Sequence, residues 1–334
     1  MLKLLFGSKK MLQGPLAKGM CTLSVFLVFA AESKAQEQKK LPDFTPTIQQ
    51  IIDQAIVPGY ENLTRAALTQ ENALEQLCTT PSNTALAQSR DDFKTLVSAW
   101  SRVELFRLGP ALKNNRQEKL FFCPDRKSIG LRQVRKFIDT QNETALGVET
   151  LQKKSVAVQG LLALEYILFG KGSDALNVDV PNGYRCRYGI TVSKAIGQTA
   201  QSIAVDWIAP KGYANLMQTA GPDNPLYRTK GEVIQDFLRI ASEMIQSTRD
   251  LKIQNSIKSS PAKSKPKRAP LWRSNLTLFA LQENLNSVDH LFNEGGLGDF
   301  TPRYTKSITF EMSQTNKFLA QLDAQPAPWV ELVK

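Results

Sequence analysis

One carboxylate interrupts the most apolar stretch of the chain. Between Val156 and Gly170 only Gln159 and Glu165 carry polar side chains. A glutamate there is set in a packed interior, where an uncompensated charge is costly and finds a cation, a metal ion or a proton. It can therefore fix packing through a buried ion pair, bind a hard metal ion, or act as a general base on metal-bound water.

Two further groupings could share that chemistry. Glu104 and Arg107 are three residues apart, neighbours on one face of a helix, with Trp100 one turn earlier as an apolar base. The same spacing fits an ordinary surface ion pair worth about 0.3–0.5 kcal/mol. Trp272-Arg273-Ser274 places an indole beside a guanidinium, which suits a carboxylate or other anion but also plain Trp–Arg stacking. Arg102, Arg107 and Arg273 are the candidate partners of Glu165. His290, the only histidine, sits in an amphipathic pattern and reads as a partly buried helix residue. Without a second histidine, and with few thiols, a conventional zinc-protease ligand set is missing; a site of carboxylate oxygens is still open. No H-E-x-x-H, G-x-S-x-G, Walker or dinucleotide fingerprint is present.

The elements that must position these residues are helices, because apolar residues recur at helical rather than alternating spacing. Helices are expected over about 46–78, with a break near Pro58-Gly59; from Ser82 or Asn83 as N-cap to the stop at Gly109-Pro110; and over 131–138, 144–169, 187–208, 231–253, 271–293 and 302–322. The segment 120–127 reads as an irregular apolar connector. The fold class is all-α: two helical-bundle lobes, 36–175 and 183–334, divided in the 171–183 loop, with a basic flexible loop at 255–269.

Residues 1–35 have the layout of a secretory signal: scattered lysines, an eleven-residue apolar core over 21–31, and Ser33-Lys34-Ala35 before a cleavage point at Gln36. That core is shorter than the ~20 residues a spanning helix needs. Its removal lowers the net charge from +11 to +7, with 37 basic and 30 acidic residues remaining. Part of the excess lies in the Ser/Pro/Lys stretch 258–268, which has no interleaved aromatic residues and does not suit nucleic-acid binding. Export to an oxidising compartment permits one disulfide among Cys78, Cys123 and Cys186; Cys78–Cys186 is the expected pair, each lying at a helix end beside a loop.

The run Gly160-Leu161-Leu162-Ala163-Leu164-Glu165 resembles the G-x-H-x-x-E signature of the imelysin-like proteins of bacterial envelopes, with leucine in place of the histidine. Trp100-Ser-Arg-Val-Glu-Leu-Phe-Arg-Leu-Gly-Pro110, Tyr184-Arg-Cys-Arg-Tyr188 and Pro270-Leu-Trp-Arg-Ser274 are similar to three further motifs of that family, in the same order along the chain. The resemblance covers nearly all of the chain after residue 35. It implies a periplasmic, helical, two-lobed protein tied to iron handling, in a family some of whose members have been called peptidases.

Only Glu165 can be carried over from the family's His/Glu pair, so Leu162 argues against peptidase activity. The reading is a binding or accessory protein of iron acquisition, not membrane-spanning after signal cleavage. Its site would combine Glu104, Arg107, Glu165, Trp272 and Arg273 between the lobes, with iron or another divalent metal as possible cofactor at Glu104 and Glu165, and envelope iron-uptake or redox proteins as partners. A Glu165-dependent metallopeptidase and a non-catalytic interaction module of the envelope are the alternatives.

Overall fold

The computed structural model describes residues 42–178, 181–259 and 261–333. The leader expected at 1–35 lies outside them. The chain begins with α1 (Thr45–Ile51), passes through a π-helical turn (Ile52–Ile56) and continues as α2 (Val57–Thr79). The expected break at Pro58-Gly59 is absent. Proline has no N–H to donate, and the widened turn just before it absorbs the defect: Val57 N–H donates to the Ile52 carbonyl, five residues back.

Ser82 caps α3 (Asn83–Val103) by accepting from Ala85 N–H at 3.1 Å. This helix stops six residues before the expected Gly109, leaving Glu104 at its C-cap and Arg107 beyond it. Short helices α4 (Arg116–Leu120), α5 (Ile129–Thr140) and α6 (Val148–Gln152) lead to α7 (Leu161–Phe169).

The expected helix 144–169 is thus broken into pieces, and Gly160 is one cause. Its φ of +78° is open to glycine at little cost, and a Cβ there would lie 2.3 Å from the Lys119 carbonyl oxygen and 2.4 Å from that of Leu120. The glycine of the motif is where the chain presses against the end of α4 before turning into the core.

Beyond the loop come α8 (Tyr184–Ile208), α9 (Tyr213–Gln218) and α10 (Lys230–Ser247); α10 runs into a second π turn (Thr248–Ile253) and then α11 (Gln254–Ile257). Last are α12 (Thr277–Asn293), α13 (Pro302–Asp323) and α14 (Trp329–Leu332). The expected helix from 271 begins only at Thr277, because Leu271 and Asn275 adopt φ of +59° and +57° and hold 271–276 as a turn. Among the described residues there is no strand.

The packing crosses the expected division at 171–183. α2 and α8 form the most extensive helix pair, with Gly197 against Ala67 allowing close approach. Cys78 at the end of α2 is bonded to Cys186 at the start of α8, as expected from the sequence. Asp43–Lys334 accordingly gathers into one unit around a core that includes Tyr60, Phe93, Trp100, Phe106, Tyr188, Trp207 and Phe237. A smaller cluster joins Ala269, Leu278, Leu281, Leu285, Leu319 and Trp329. There Trp329 donates from its indole N–H to Pro266 O at 3.0 Å and from its backbone N–H to Asn275 Oδ1 at 2.8 Å. The C-terminal turn thereby pins both ends of the 266–275 segment. No helix among the described residues is long and apolar enough to cross a membrane.

Candidate functional site

Glu165 projects from the middle of α7 and is 1% exposed. Its Oε1 accepts three hydrogen bonds: from Arg273 N–H at 2.8 Å, Ser274 N–H at 3.1 Å and Ser274 Oγ–H at 3.1 Å. The Arg273 guanidinium lies 3.7 Å from Oε2. The turn at 271–276, set by positive φ at Leu271 and Asn275, directs both N–H groups at the carboxylate. Burial pushes the Glu165 carboxyl above the usual glutamate value of 4.5, opposed by the Arg273 charge and by the three donors.

Arg273 packs against two aromatic rings. Its guanidinium carbon lies 4.4 Å from the Trp272 ring centre and 5.5 Å from that of Tyr166. These residues border a cavity of about 260 Å³, closed below by apolar side chains of α5 and α7, among them Val134 and Leu162. Leu162, at the position of the family's histidine, lines this cavity together with Glu165.

Asp125 also borders the cavity, but its oxygens are occupied: Oδ1 accepts from Ile129 N–H at 2.6 Å and Oδ2 from Leu131 N–H at 3.1 Å, capping α5. Cys123 lines the same space with a thiol pushed up to about 12 by burial, which keeps it protonated and unreactive at neutral pH. The mouth carries Arg126, Lys127, Lys267 and Arg268. The first two belong to a segment whose sequence predicts an irregular connector, the last two to one that predicts a basic flexible loop.

Glu104 is placed elsewhere. Its Oε2 accepts from Lys252 Nζ at 2.7 Å and Asn284 Nδ2 at 3.1 Å, and Lys252 also donates to Asn284 Oδ1 at 2.7 Å. Lys252, 4% exposed in its side chain, reaches this position from the second π turn. No sequence pattern marked Lys252 or Asn284.

Arg107 is half exposed and pairs with Glu118 at 3.4 Å; once α3 ends at Val103, the three-residue spacing no longer puts it beside Glu104. Arg102 pairs with Glu283 at 2.6 Å. Of the three arginines considered for Glu165, Arg273 reaches it. Trp272, Arg273 and Glu165 therefore converge on the cavity, whereas Glu104 and Arg107 do not line it. His290 contacts Glu294 at 2.9 Å on α12.

The donor set decides what the arrangement can do. A metal ion at Glu165 would compete with three donors at Oε1 or lie beside a guanidinium at Oε2, and Leu162 offers it no electron pair. Glu104 faces the ammonium of Lys252 in the same way. Among the described residues, no three His, Cys, Asp or Glu side chains gather as a metal would require. Neither carboxylate fits a metal held through the motif positions, while the cavity wall, with Arg273 on an aromatic platform, suits a ligand that carries negative charge.

Comparison with known proteins agrees with this architecture. Iron-regulated protein A of Synechococcus elongatus is 21% identical over 205 residues, covering 59% of this chain and 52% of that protein. The match thus spans about half the length of that relative. An imelysin-like protein from Psychrobacter arcticum superimposes with a TM-score of 0.67 at 18% identity, covering 86% of this chain and 89% of that one. A protein designated an iron-regulated protein A precursor, from Parabacteroides distasonis, gives 0.70 at 16% identity, with coverage of 83% and 84%. At such identities the two structures show the fold alone. Residues 56–331 match the sequence profile of the imelysin family, also designated peptidase M75, and the chain belongs to that family.

Proposed function

We propose that this protein is a periplasmic, non-catalytic binding protein of iron acquisition, taking a small ligand in the cavity above Glu165. The observation that carries the reading is the engagement of Glu165. A general base needs an electron pair within reach of the bond it attacks, whereas this carboxylate is buried, with Oε1 accepting from three donors and Oε2 facing the Arg273 guanidinium at 3.7 Å. Placement in the envelope is supported by the leader-like residues 1–35 and by the Cys78–Cys186 bond, which fits an oxidising compartment. The iron connection is supported by relatives named as iron-regulated.

The test is native mass spectrometry of protein recovered from the periplasm of iron-starved cells. A bound small molecule, lost in Trp272→Ala and released on unfolding, is the expected result. An empty protein that instead cleaves unfolded casein, with cleavage stopped by a chelator and by Glu165→Gln, overturns the reading in favour of a peptidase.

A further inference from the structure

The charges around the cavity are unbalanced, and the imbalance has a direction. Two acidic residues border it, and the oxygens of both are engaged within the protein: those of Asp125 by the amides that open α5, those of Glu165 by the 273–274 turn and the Arg273 guanidinium. The cations at the mouth have no such compensation. Arg126, Lys127, Lys267 and Arg268 take part in no ion pair among the described residues, although other exposed arginines of this protein, such as Arg239 and Arg249, do find carboxylates. Lys267 lies over the Trp272 ring at 5.3 Å, so the indole meets two cations, Lys267 and Arg273.

Like charges gathered at one opening repel one another, and the cost is relieved when an anion enters. With Arg273 paired to Glu165, four cations at this cavity have no acidic partner among the described residues, so one negative charge on a ligand leaves most of them unmatched.

Volume limits the ligand further. About 260 Å³ is the share of roughly nine liquid waters. This lies just below the usual range of drug-sized sites, about 300–1,000 Å³, and is far too small for a folded partner. The walls combine a planar aromatic surface with a guanidinium, which suits planar oxyanion groups such as carboxylates.

We infer that the ligand of this cavity is a small molecule bearing two or more oxyanion groups, held by Arg273 at the wall and by Arg126, Lys127 and Arg268 at the mouth. The inference rests on the binding reading above and names the chemistry of its ligand. Carboxylate and phosphate groups share that chemistry, and the experiment separates them.

Calorimetric titration of the purified protein with citrate, pyrophosphate and acetate, each at low and at physiological salt, tests it. Citrate or pyrophosphate is expected to bind and acetate not, with affinity falling as salt screens the mouth over about 8 Å. Which of the two binds tells carboxylate from phosphate. The double variant Lys127→Ala/Arg268→Ala alters exposed side chains, so its unfolding temperature stays at the parent value. It should lose roughly tenfold in affinity or more, the scale of a charge-assisted hydrogen bond.

Three outcomes overturn the inference: equal binding of acetate, unchanged affinity in the double variant, or adsorption to anionic phospholipid vesicles with no binding of the soluble anions. If the soluble anions fail while native mass spectrometry still shows a bound neutral or cationic molecule, the ligand class is wrong and the binding reading survives. An empty protein in both experiments removes both.

Discussion

Arg273 serves Glu165 twice, donating its backbone N–H to Oε1 at 2.8 Å and placing its guanidinium 3.7 Å from Oε2. The main chain of one segment and the side chain of the same residue thus compensate a charge that α7 carries into the interior. The turn exists because Leu271 and Asn275 accept left-handed backbone angles. Its cost is offset by hydrogen bonds to a charged acceptor, worth about 1.5–3 kcal/mol each.

Removing the acceptor should therefore be expensive. Glu165→Ala leaves the Arg273 guanidinium and the Ser274 donors without a partner in a buried place, and about 3–5 kcal/mol of stability should be lost. Glu165→Gln keeps an amide oxygen where Oε1 lies and should lose clearly less. Urea unfolding of the two variants checks the order; equal losses would mean that the three donors contribute little.

The same residue predicts a pH dependence. Because burial raises the folded carboxyl above 4.5, the native state holds the proton over a range where the unfolded chain has released it. The contribution of Glu165 is then fully present below pH 4.5 and is lost as pH rises through the folded value. Relative to the parent, Glu165→Gln should gain stability as pH increases from 4 to 8, by about 2–4 °C in Tm for each kcal/mol. A pH-independent difference between the two proteins would show that the carboxyl stays at its ordinary value.

How much of this was legible beforehand depends on whether a residue's neighbours are local. The burial of Glu165 follows from the apolar residues around it, and the Cys78–Cys186 pairing from the position of each cysteine at a helix end. The spacing puts Arg107 beside Glu104 only where the helix continues, and the chain leaves the helix at Val103, before the Gly109-Pro110 stop. Lys252 was invisible because a π turn shifts its direction relative to the ordinary helical period, so counting residues along α10 does not lead to Glu104. The sequence predicts helix over 271–276 because nothing in leucine's chemistry announces a positive φ. The rim of Arg126, Lys127, Lys267 and Arg268 assembles from segments about 140 residues apart, a separation that local patterns do not bridge.

The two candidate partners of Glu104 give a direct contrast. Lys252 is buried against it at 2.7 Å, so Lys252→Ala leaves Glu104 facing Asn284 alone and should cost about 3–5 kcal/mol. Arg107 is half exposed beside Glu118, and Arg107→Ala should cost no more than about 1 kcal/mol. Chemical denaturation of both variants decides the point; a large loss for Arg107→Ala would restore the pairing expected from the spacing.

The disulfide closes a loop of 108 residues between the ends of the two helices that pack most extensively. Loops of about 100 residues correspond to roughly 4.7 kcal/mol of chain entropy removed from the unfolded state. Replacing both cysteines by serine should lower the unfolding free energy by about 4 kcal/mol, with the helical circular dichroism signal at 25 °C retained. An unchanged urea midpoint would mean that the unfolded chain is already compact across this span.

The last prediction concerns the leucine that departs from the family motif. Leu162 borders the cavity one helical turn from Glu165, and its side chain offers no ligand atom. Leu162→His would introduce an imidazole nitrogen into the same space, one helical turn from the Glu165 carboxylate. An imidazole nitrogen suits zinc and ferrous iron far better than an aliphatic wall does. Zinc affinity should rise by about tenfold or more over the parent, a gain of about 1.4 kcal/mol. Competition against a chromogenic chelator measures it. The increase should be lost again on lowering the pH below about 6, where histidine is protonated. If the substitution leaves zinc affinity at the parent level, the donors around Glu165 are too firmly engaged to be recruited, and the missing histidine alone does not account for the character of this site.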